Sequence, residues 1–418
     1  MLYDHWRKVA AGRRNELALQ DFASGRRWTF AELFAQGESQ AAGPAATAFP
    51  QGHSPQFIFD LLAAWRENQI VCPLEAGQAP LEISRPPPNC VHLKSTSGTG
   101  GLARFVAFTA GQLAADADNI VATMGLRVDW PNLGVISMAH SYGFSNLVLP
   151  LLLHGIPLFL APAPLPEIVR RAAGTAVAIT LPAVPPLWRA WHEAGAIPAN
   201  VRLAISAGAP LPVNLEQTIF ATWGLKIHNF LGASECGGIA YDASATPRLD
   251  GALAGSPLRN VALSRDDSGG LVVQSSAVGE TYWPEPASGL GAGRFETSDL
   301  AELPDGRVFL RGRRSDEINV AGRKVSPESI EGELLKHPAV RECLVFGAPS
   351  RDAERTETIV AVVVAGATEA ELKRFLLQGL PAWQVPREWW LVEALAANHR
   401  GKLSRGDWRR RWQAEKKS

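Results

Sequence analysis

Three short apolar runs recur through the middle of the chain: Gly134-Val-Ile-Ser-Met, Ala176-Val-Ala-Ile-Thr and Val201-Arg-Leu-Ala-Ile-Ser, with helical stretches between them. Runs of this length and make-up read as buried strands, and the helices between them must cover the strand faces. That alternation predicts an α/β fold of layered sheets and helices. The chain has 418 residues, more than one compact core accommodates, so two or three domains are expected.

The flanking segments add detail. Trp28-Thr-Phe-Ala-Glu-Leu-Phe predicts a short strand entering a helix, 57–65 a helix, and Ile70-Val-Cys-Pro-Leu a strand. The greasy run 147–165 carries His154 and several prolines, so it predicts a buried helix-turn-strand and not a membrane span. From 255 to 282 short strands and turns such as Asp266-Asp-Ser-Gly-Gly predict a β-rich subdomain.

After Arg313 the texture changes. Ser326-Pro327 reads as a cap and first turn of a helix, Cys343-Leu-Val-Phe-Gly and Thr358-Ile-Val-Ala-Val-Val-Val as strands, and Thr368 to Glu371 as a capping box. Gly379 is expected to close that helix and Trp389-Trp-Leu-Val to form a last strand. The expected division is a large domain over 1–314 and a small α+β domain over 315–418. The basic tail 405–417 reads as a solvated helix.

Charge and cysteine content exclude other classes. Formal net charge is zero, so no bulk field favours nucleic acid or an anionic membrane. Cys72, Cys90, Cys236 and Cys343 form no CxxC pair or zinc set, and read as reduced, buried thiols of a cytoplasmic protein. The N-terminal stretch MLYDHWRKVAAGRRNE has no apolar signal core.

The stretch Ser95-Thr-Ser-Gly-Thr-Gly-Gly-Leu-Ala-Arg-Phe105 carries the chemistry. Glycines let backbone N–H groups approach an anion closely, and hydroxyls add donors. No GxxxxGK[ST] occurs and no GxGxxG follows a strand, which leaves a different phosphate loop or a plain flexible one.

Six further stretches follow it: MAHSYGF (138–144), SAGAPLP (206–212), HNFLGASECGG (228–238), ETSDL (296–300), GRRSDEINVAGRKVSPESIE (312–331) and NHRGKLSR (398–405). In this order they resemble the motifs of the acyl-adenylate-forming superfamily, which includes acyl-CoA synthetases, aryl-acid ligases, adenylation domains and luciferases. The chain is short for that family, and the part before residue 95 looks trimmed.

The resemblance implies ATP, Mg²⁺ and a small carboxylic acid as ligands. By it, Thr96, Ser97 and Thr99 would hold the β- and γ-phosphates in a loop with Gly98, Gly101 and Arg104. Gly100, Ala103 and Arg104 stand where the family usually has a hydroxyl residue, proline and lysine; arginine keeps the charge and adds a fork of donors. Glu235 would hold Mg²⁺, Ser234 would touch the α-phosphate and Asn229 would read the adenine amino group. Leu231 replaces the aromatic that stacks on adenine, and Gly232, Gly208 and Ala209 complete the nucleotide site. Asp299 would accept the ribose hydroxyls, Arg313 would reach the ribose and α-phosphate, and Lys402 would supply the adenylating ammonium; the alternative for Asp299 and Arg313 is a surface ion pair.

Ser315 occupies the family's hinge position, and Gly322 would let a pantetheine arm pass. The resemblance places His140, Ser141 and Gly237 in the acid pocket, where the glycines at 237 and 238 would leave room. His140 gates that pocket or is a buried structural residue. Amino-acid-activating relatives carry an aspartate near here for the α-ammonium, and 138–144 has no acidic residue, so the resemblance disfavours amino acids. Met138-Ala-His-Ser-Tyr142 is similar to aryl-acid activators, which implies a hydroxybenzoate-like acid with Ser141 toward a ring hydroxyl, and a medium-chain fatty acid next. The expected activity is acyl-AMP formation followed by transfer to coenzyme A. Carrier-protein phosphopantetheine is the alternative acceptor, and a non-catalytic nucleotide-binding relative the alternative class.

Overall fold

A computed structural model describes residues 2–96, 104–320, 323–350, 357–395 and 404–416, without the side chain of Ser315. The chain divides into two compact units. The larger consists of Met1–Ser264, Val272–Glu296 and Asp305–Val308, the smaller of Arg265–Leu271, Thr297–Pro304 and Phe309–Ser418.

The larger unit is the layered α/β body. Strands Ile227–Ala233, Val201–Ser206, Ile179–Ala183, Asn132–Gly134, Leu158–Leu160 and Leu17–Asp21 lie side by side as parallel neighbours. Antiparallel strands flank them, Gly237–Tyr241 and then Leu253–Pro257 on one side and Arg27–Thr29 on the other. A second sheet runs Thr281–Trp283, Phe105–Phe108, His92–Ser95, Ile70–Val71, Thr47–Ala48. Helices between these strands bury their apolar faces, with Trp6, Phe30, Phe57, Leu61, Trp188 and Trp191 among the most enclosed side chains.

Local chemistry sets the helix ends. Thr29 and Glu32 cap Phe30–Ser39 reciprocally, and Thr109 and Gln112 do the same for Ala110–Met124. The latter helix stops at Gly125, whose φ of 65° is left-handed.

Two of the three central strands sit differently from their apolar runs. The 134–138 run supplies only the end of strand Asn132–Gly134, because the Gly134 carbonyl accepts from the Ala161 N–H and the chain then leaves the sheet. Val135, Ile136 and Met138 are still buried, so apolarity there marks the core and not the strand. The 176–180 run is likewise displaced to Ile179–Ala183, while Val201–Ser206 lies where the sequence puts it. The 147–165 run is helix Leu149–His154, a turn and strand Leu158–Leu160, as expected.

The smaller unit is α+β. Strands Val340–Pro349, Glu357–Ala365 and Glu388–Leu391 form one sheet. Alternate residues face opposite ways. Cys343, Val345, Ala361 and Val363 pack with Ile330, Leu334, Leu372 and Leu376, while Leu344, Phe346, Val360 and Val362 pack with Trp408. The tail helix Arg405–Glu415 is therefore docked through Trp408 and Trp412, against its reading as a solvated helix. Thr368 and Glu371 form the expected capping box. Ser326 stands at an N-cap, but its hydroxyl is drawn to Glu328 Oε2 at 2.7 Å and caps no backbone N–H. Gly379 is the last residue of helix Glu369–Gly379 and not a left-handed terminator.

All four cysteines are buried and free. Among the described residues no helix is long and apolar enough to cross a membrane.

Candidate functional site

The glycine-rich stretch joins two antiparallel strands, with Ser95 paired to Phe105. Thr96 and Arg104 pinch its base: the Thr96 N–H and Oγ1 both donate to the Arg104 carbonyl, at 2.9 and 3.1 Å. Ser97, Gly98, Thr99 and Gly101 lie outside the described residues.

The side chain of Arg104 rests on Tyr282, its guanidinium carbon 3.5 Å from the ring centroid. Tyr282 is held in place by strand pairing with Val106. Its hydroxyl donates to Glu235 Oε1 at 3.3 Å. Burial, and then the Glu235 charge, raise the phenol well above its ordinary pKa, so it stays a donor. Tyr282 thus joins two residues expected to meet the triphosphate and its metal. The sequence flagged nothing at 282, because its place depends on the strand it pairs with.

Glu235 and Ser234 sit in the turn between strands Ile227–Ala233 and Gly237–Tyr241. The Gly279 N–H fixes the Glu235 carbonyl at 2.8 Å. No cluster of three potential metal ligands exists among the described residues. One half-exposed carboxylate still suits Mg²⁺, which usually takes one or two protein carboxylates and completes its shell with phosphates and water.

Asn229 donates through Nδ2 to the Ala254 carbonyl at 3.2 Å, and no described residue donates to its Oδ1. Leu231 is half-buried, and Gly232 is exposed beside it. A buried charge network fixes this strand pair from behind. Lys226 bonds Glu216 and Asp242, and Arg248 bonds Glu216 at 2.8 Å, while the Asp242 N–H donates to the Asn229 carbonyl. Gly208 and Ala209 lie in the loop after strand Val201–Ser206, where Gly208 has a left-handed φ of 83°.

His140 is 37% exposed in its side chain, which rules out the buried structural reading. Its Nε2 lies 3.2 Å from Glu75 Oε1, which also accepts from Ser137 Oγ at 2.7 Å. An acidic group therefore does stand at this motif, supplied from far upstream. Ser141 opens the short helix that continues into a π-helical turn at Phe144–Val148. Tyr142 of that short helix is half-buried, 6.0 Å from the Phe230 ring, with its hydroxyl 3.4 Å from the Ala183 carbonyl. It links the 138–144 motif to strand Ile227–Ala233 and to the ends of the central strands.

Gly237 and Gly238 do not leave the expected room. A Cβ on Gly237 would lie 1.9 Å from Asp116 Oδ1, and one on Gly238 2.3 Å from Leu258 Cδ2. A glycine in the sequence marks a missing side chain but not what fills its place.

In the smaller unit Asp299 and Arg313 face each other across paired strands, with Nε donating to Oδ1 at 2.9 Å. The Asp299 N–H donates to Thr297 Oγ1 at 3.1 Å, which fixes the backbone there. Arg405 is a further residue that sequence reasoning passed over. It bonds Asp316, Glu328 and Glu331 at 2.9, 2.9 and 2.7 Å, and donates to the Val345 carbonyl. Lys402 and Gly322 lie outside the described residues, as does the side chain of Ser315.

Residues 83–288 match the AMP-binding enzyme family, and 329–402 match the AMP-binding enzyme C-terminal domain. The chain is 28% identical over 333 residues to 2-succinylbenzoate–CoA ligase of Bacillus mycoides, covering 75% of this chain and 69% of that one. It is 28% identical over 408 residues to the fatty acid–[acyl-carrier-protein] ligase ScoC of Streptomyces coeruleorubidus, covering 90% and 75%. Its fold is that of ATP-bound MatB from Rhodopseudomonas palustris, with a TM-score of 0.85, 20% identity and 99% of each chain covered. The chain belongs to the AMP-binding enzyme family, the acyl-adenylate-forming superfamily, and its class is that of an AMP-forming acid–thiol ligase.

Proposed function

We propose that this protein activates an aryl carboxylic acid with ATP and passes the acyl group to coenzyme A. In the first half-reaction a carboxylate oxygen of the acid attacks the α-phosphorus of ATP. The bond to the β-phosphate oxygen breaks and pyrophosphate leaves. In the second the thiol sulfur attacks the acyl carbonyl carbon, and AMP leaves with the carboxylate oxygen. Splitting the condensation in this way replaces one hard step by two accessible ones.

The observation that carries the reading is the convergence of Arg104, Tyr282 and Glu235 at the base of the glycine-rich hairpin. It supports a site for a magnesium-bound triphosphate, with Arg104 toward the phosphates and Glu235 as the protein's carboxylate to the metal. Bound Mg²⁺ would offset phosphate charge; Tyr282 keeps the carboxylate and the guanidinium in register. Asn229 Oδ1 would accept from the adenine amino group, Leu231 would lie against the ring, and Ser234 would touch the α-phosphate. Asp299 would accept the ribose hydroxyls, and Lys402 would meet the charge that gathers at the α-phosphate. Domain rotation at Ser315 would bring in the second half-reaction.

The aryl acid is supported by the 2-succinylbenzoate–CoA ligase relative and by a pocket whose glycine side is filled. The same relative supports coenzyme A as acceptor. Loading of a carrier protein is the second reading, favoured by the similarity to ScoC over 90% of the chain. The test is thioester formation from a panel of benzoates and fatty acids, with coenzyme A and holo-carrier protein offered in parallel. A benzoyl-type CoA product supports the reading; product only on the carrier protein selects the second.

A further inference from the structure

We infer that the buried ion pair of Lys94 and Asp116 closes the inner end of the acid pocket and limits the substrate to compact acids: one aromatic ring or a short alkyl chain. The inference rests on the proposed function, with the acid pocket taken where the family resemblance puts it, at His140, Ser141 and Gly237.

Lys94 lies in strand His92–Ser95 and Asp116 in helix Ala110–Met124. Their charged atoms are 3.5 Å apart, and each side chain is 2% exposed. Ser145 stands between them: its hydroxyl accepts from Lys94 at 3.2 Å and donates to Asp116 Oδ2 at 2.6 Å. Asp116 Oδ1 takes the Gly238 N–H at 3.1 Å. The Lys94 ammonium also sits over the Phe108 ring, 4.6 Å from its centroid.

The pair thus touches both walls of the proposed pocket. Ser145 is one turn along from Ser141, in the π-helical segment, and Gly237 and Gly238 form the facing strand. The volume that these glycines vacate is taken by the Asp116 carboxylate and by Leu258. An alkyl tail running on between Ser145 and Gly237 would have to separate two paired charges in a dry interior. A single ring or a short chain ends before reaching them. A buried ion pair is also a poor source of stability compared with apolar packing of the same volume, so its presence in a core of Phe108 and Phe144 fits a role in selection.

The test is a chain-length profile of acid-dependent pyrophosphate exchange. Benzoate and hydroxybenzoates are compared with the straight-chain acids butanoate, hexanoate, octanoate and decanoate. The wild-type protein is expected to favour the best compact acid over decanoate by about 100-fold in kcat/KM, the scale on which pockets reject surplus methylenes. The double variant Lys94→Met/Asp116→Ala removes both charges together and should raise the ratio of decanoate to benzoate at least about tenfold. A change confined to stability would lower all acids alike and leave that ratio fixed.

Decanoate used by the wild type as well as benzoate, or an unchanged ratio in a folded variant, would overturn the inference alone. Should the variant not fold, the wild-type profile still decides. Exchange with no acid at all would instead remove the proposed function, and this inference with it.

Discussion

The Tyr282 hydroxyl donates to the Glu235 carboxylate at 3.3 Å while the same ring carries the Arg104 guanidinium on its face. Two variants separate these contacts. Tyr282→Phe keeps the ring and loses the donor to a charged acceptor, and is expected to lower exchange about 3- to 10-fold. Tyr282→Leu also removes the ring beneath Arg104 and should cost a further factor of about 3 to 10. The check is kcat/KM for ATP in both variants. Equal activity in Phe, Leu and wild type would show that Tyr282 positions nothing.

Asp299 accepts from Arg313 at 2.9 Å, and its backbone N–H donates to Thr297 Oγ1. If its oxygens also take the ribose hydroxyls, Asp299→Ala should raise KM for ATP about tenfold or more. A sharper sign is discrimination. The wild type should prefer ATP to 2′-deoxy-ATP, and the variant should lose that preference, because a site built to bond a hydroxyl penalises its absence. The two nucleotides compared in both proteins give the answer; a variant that still discriminates would place the ribose contact elsewhere.

These contacts were legible in the sequence to different degrees. Asp299 and Arg313 both sit in recognisable motifs, but their ion pair was the alternative to a reading that sends Arg313 to the ribose and α-phosphate. The capping box at Thr368 and Glu371 was legible because it is local, closed within one helical turn. Glu75 beside His140, Tyr282 beside Glu235 and Asp116 behind Gly237 were not, since each pair is joined only by tertiary packing. The apolar runs at 134–138 and 176–180 showed burial correctly but not strand limits, which the hydrogen bonds of neighbouring strands determine.

His92 is fully buried against Phe144, 4.3 Å between ring centroids, and neither ring nitrogen has a partner among the described residues. Burial, and then the Lys94 charge, hold its pKa well below 6.5. Below that pH the unfolded chain takes up a proton that the folded protein refuses, so stability falls as pH drops from 6.5. His92→Leu removes this site. The loss of unfolding free energy between about pH 7.5 and about pH 5.5 should be smaller in the variant than in the wild type, as read by urea unfolding at both pH values. His53, His154 and His228 are depressed by burial too and keep part of the acid sensitivity in the variant.

Acid-dependent exchange of labelled pyrophosphate into ATP, in wild type and Lys402→Ala, tests the central claim most directly. Exchange with an aryl acid that falls by roughly 10²–10³ in the variant is the expected result, from loss of one electrostatic group at the α-phosphate. Thiol acylation from a preformed acyl-AMP should be spared. Wild-type protein that binds ATP yet exchanges pyrophosphate with no acid in the panel would contradict the account.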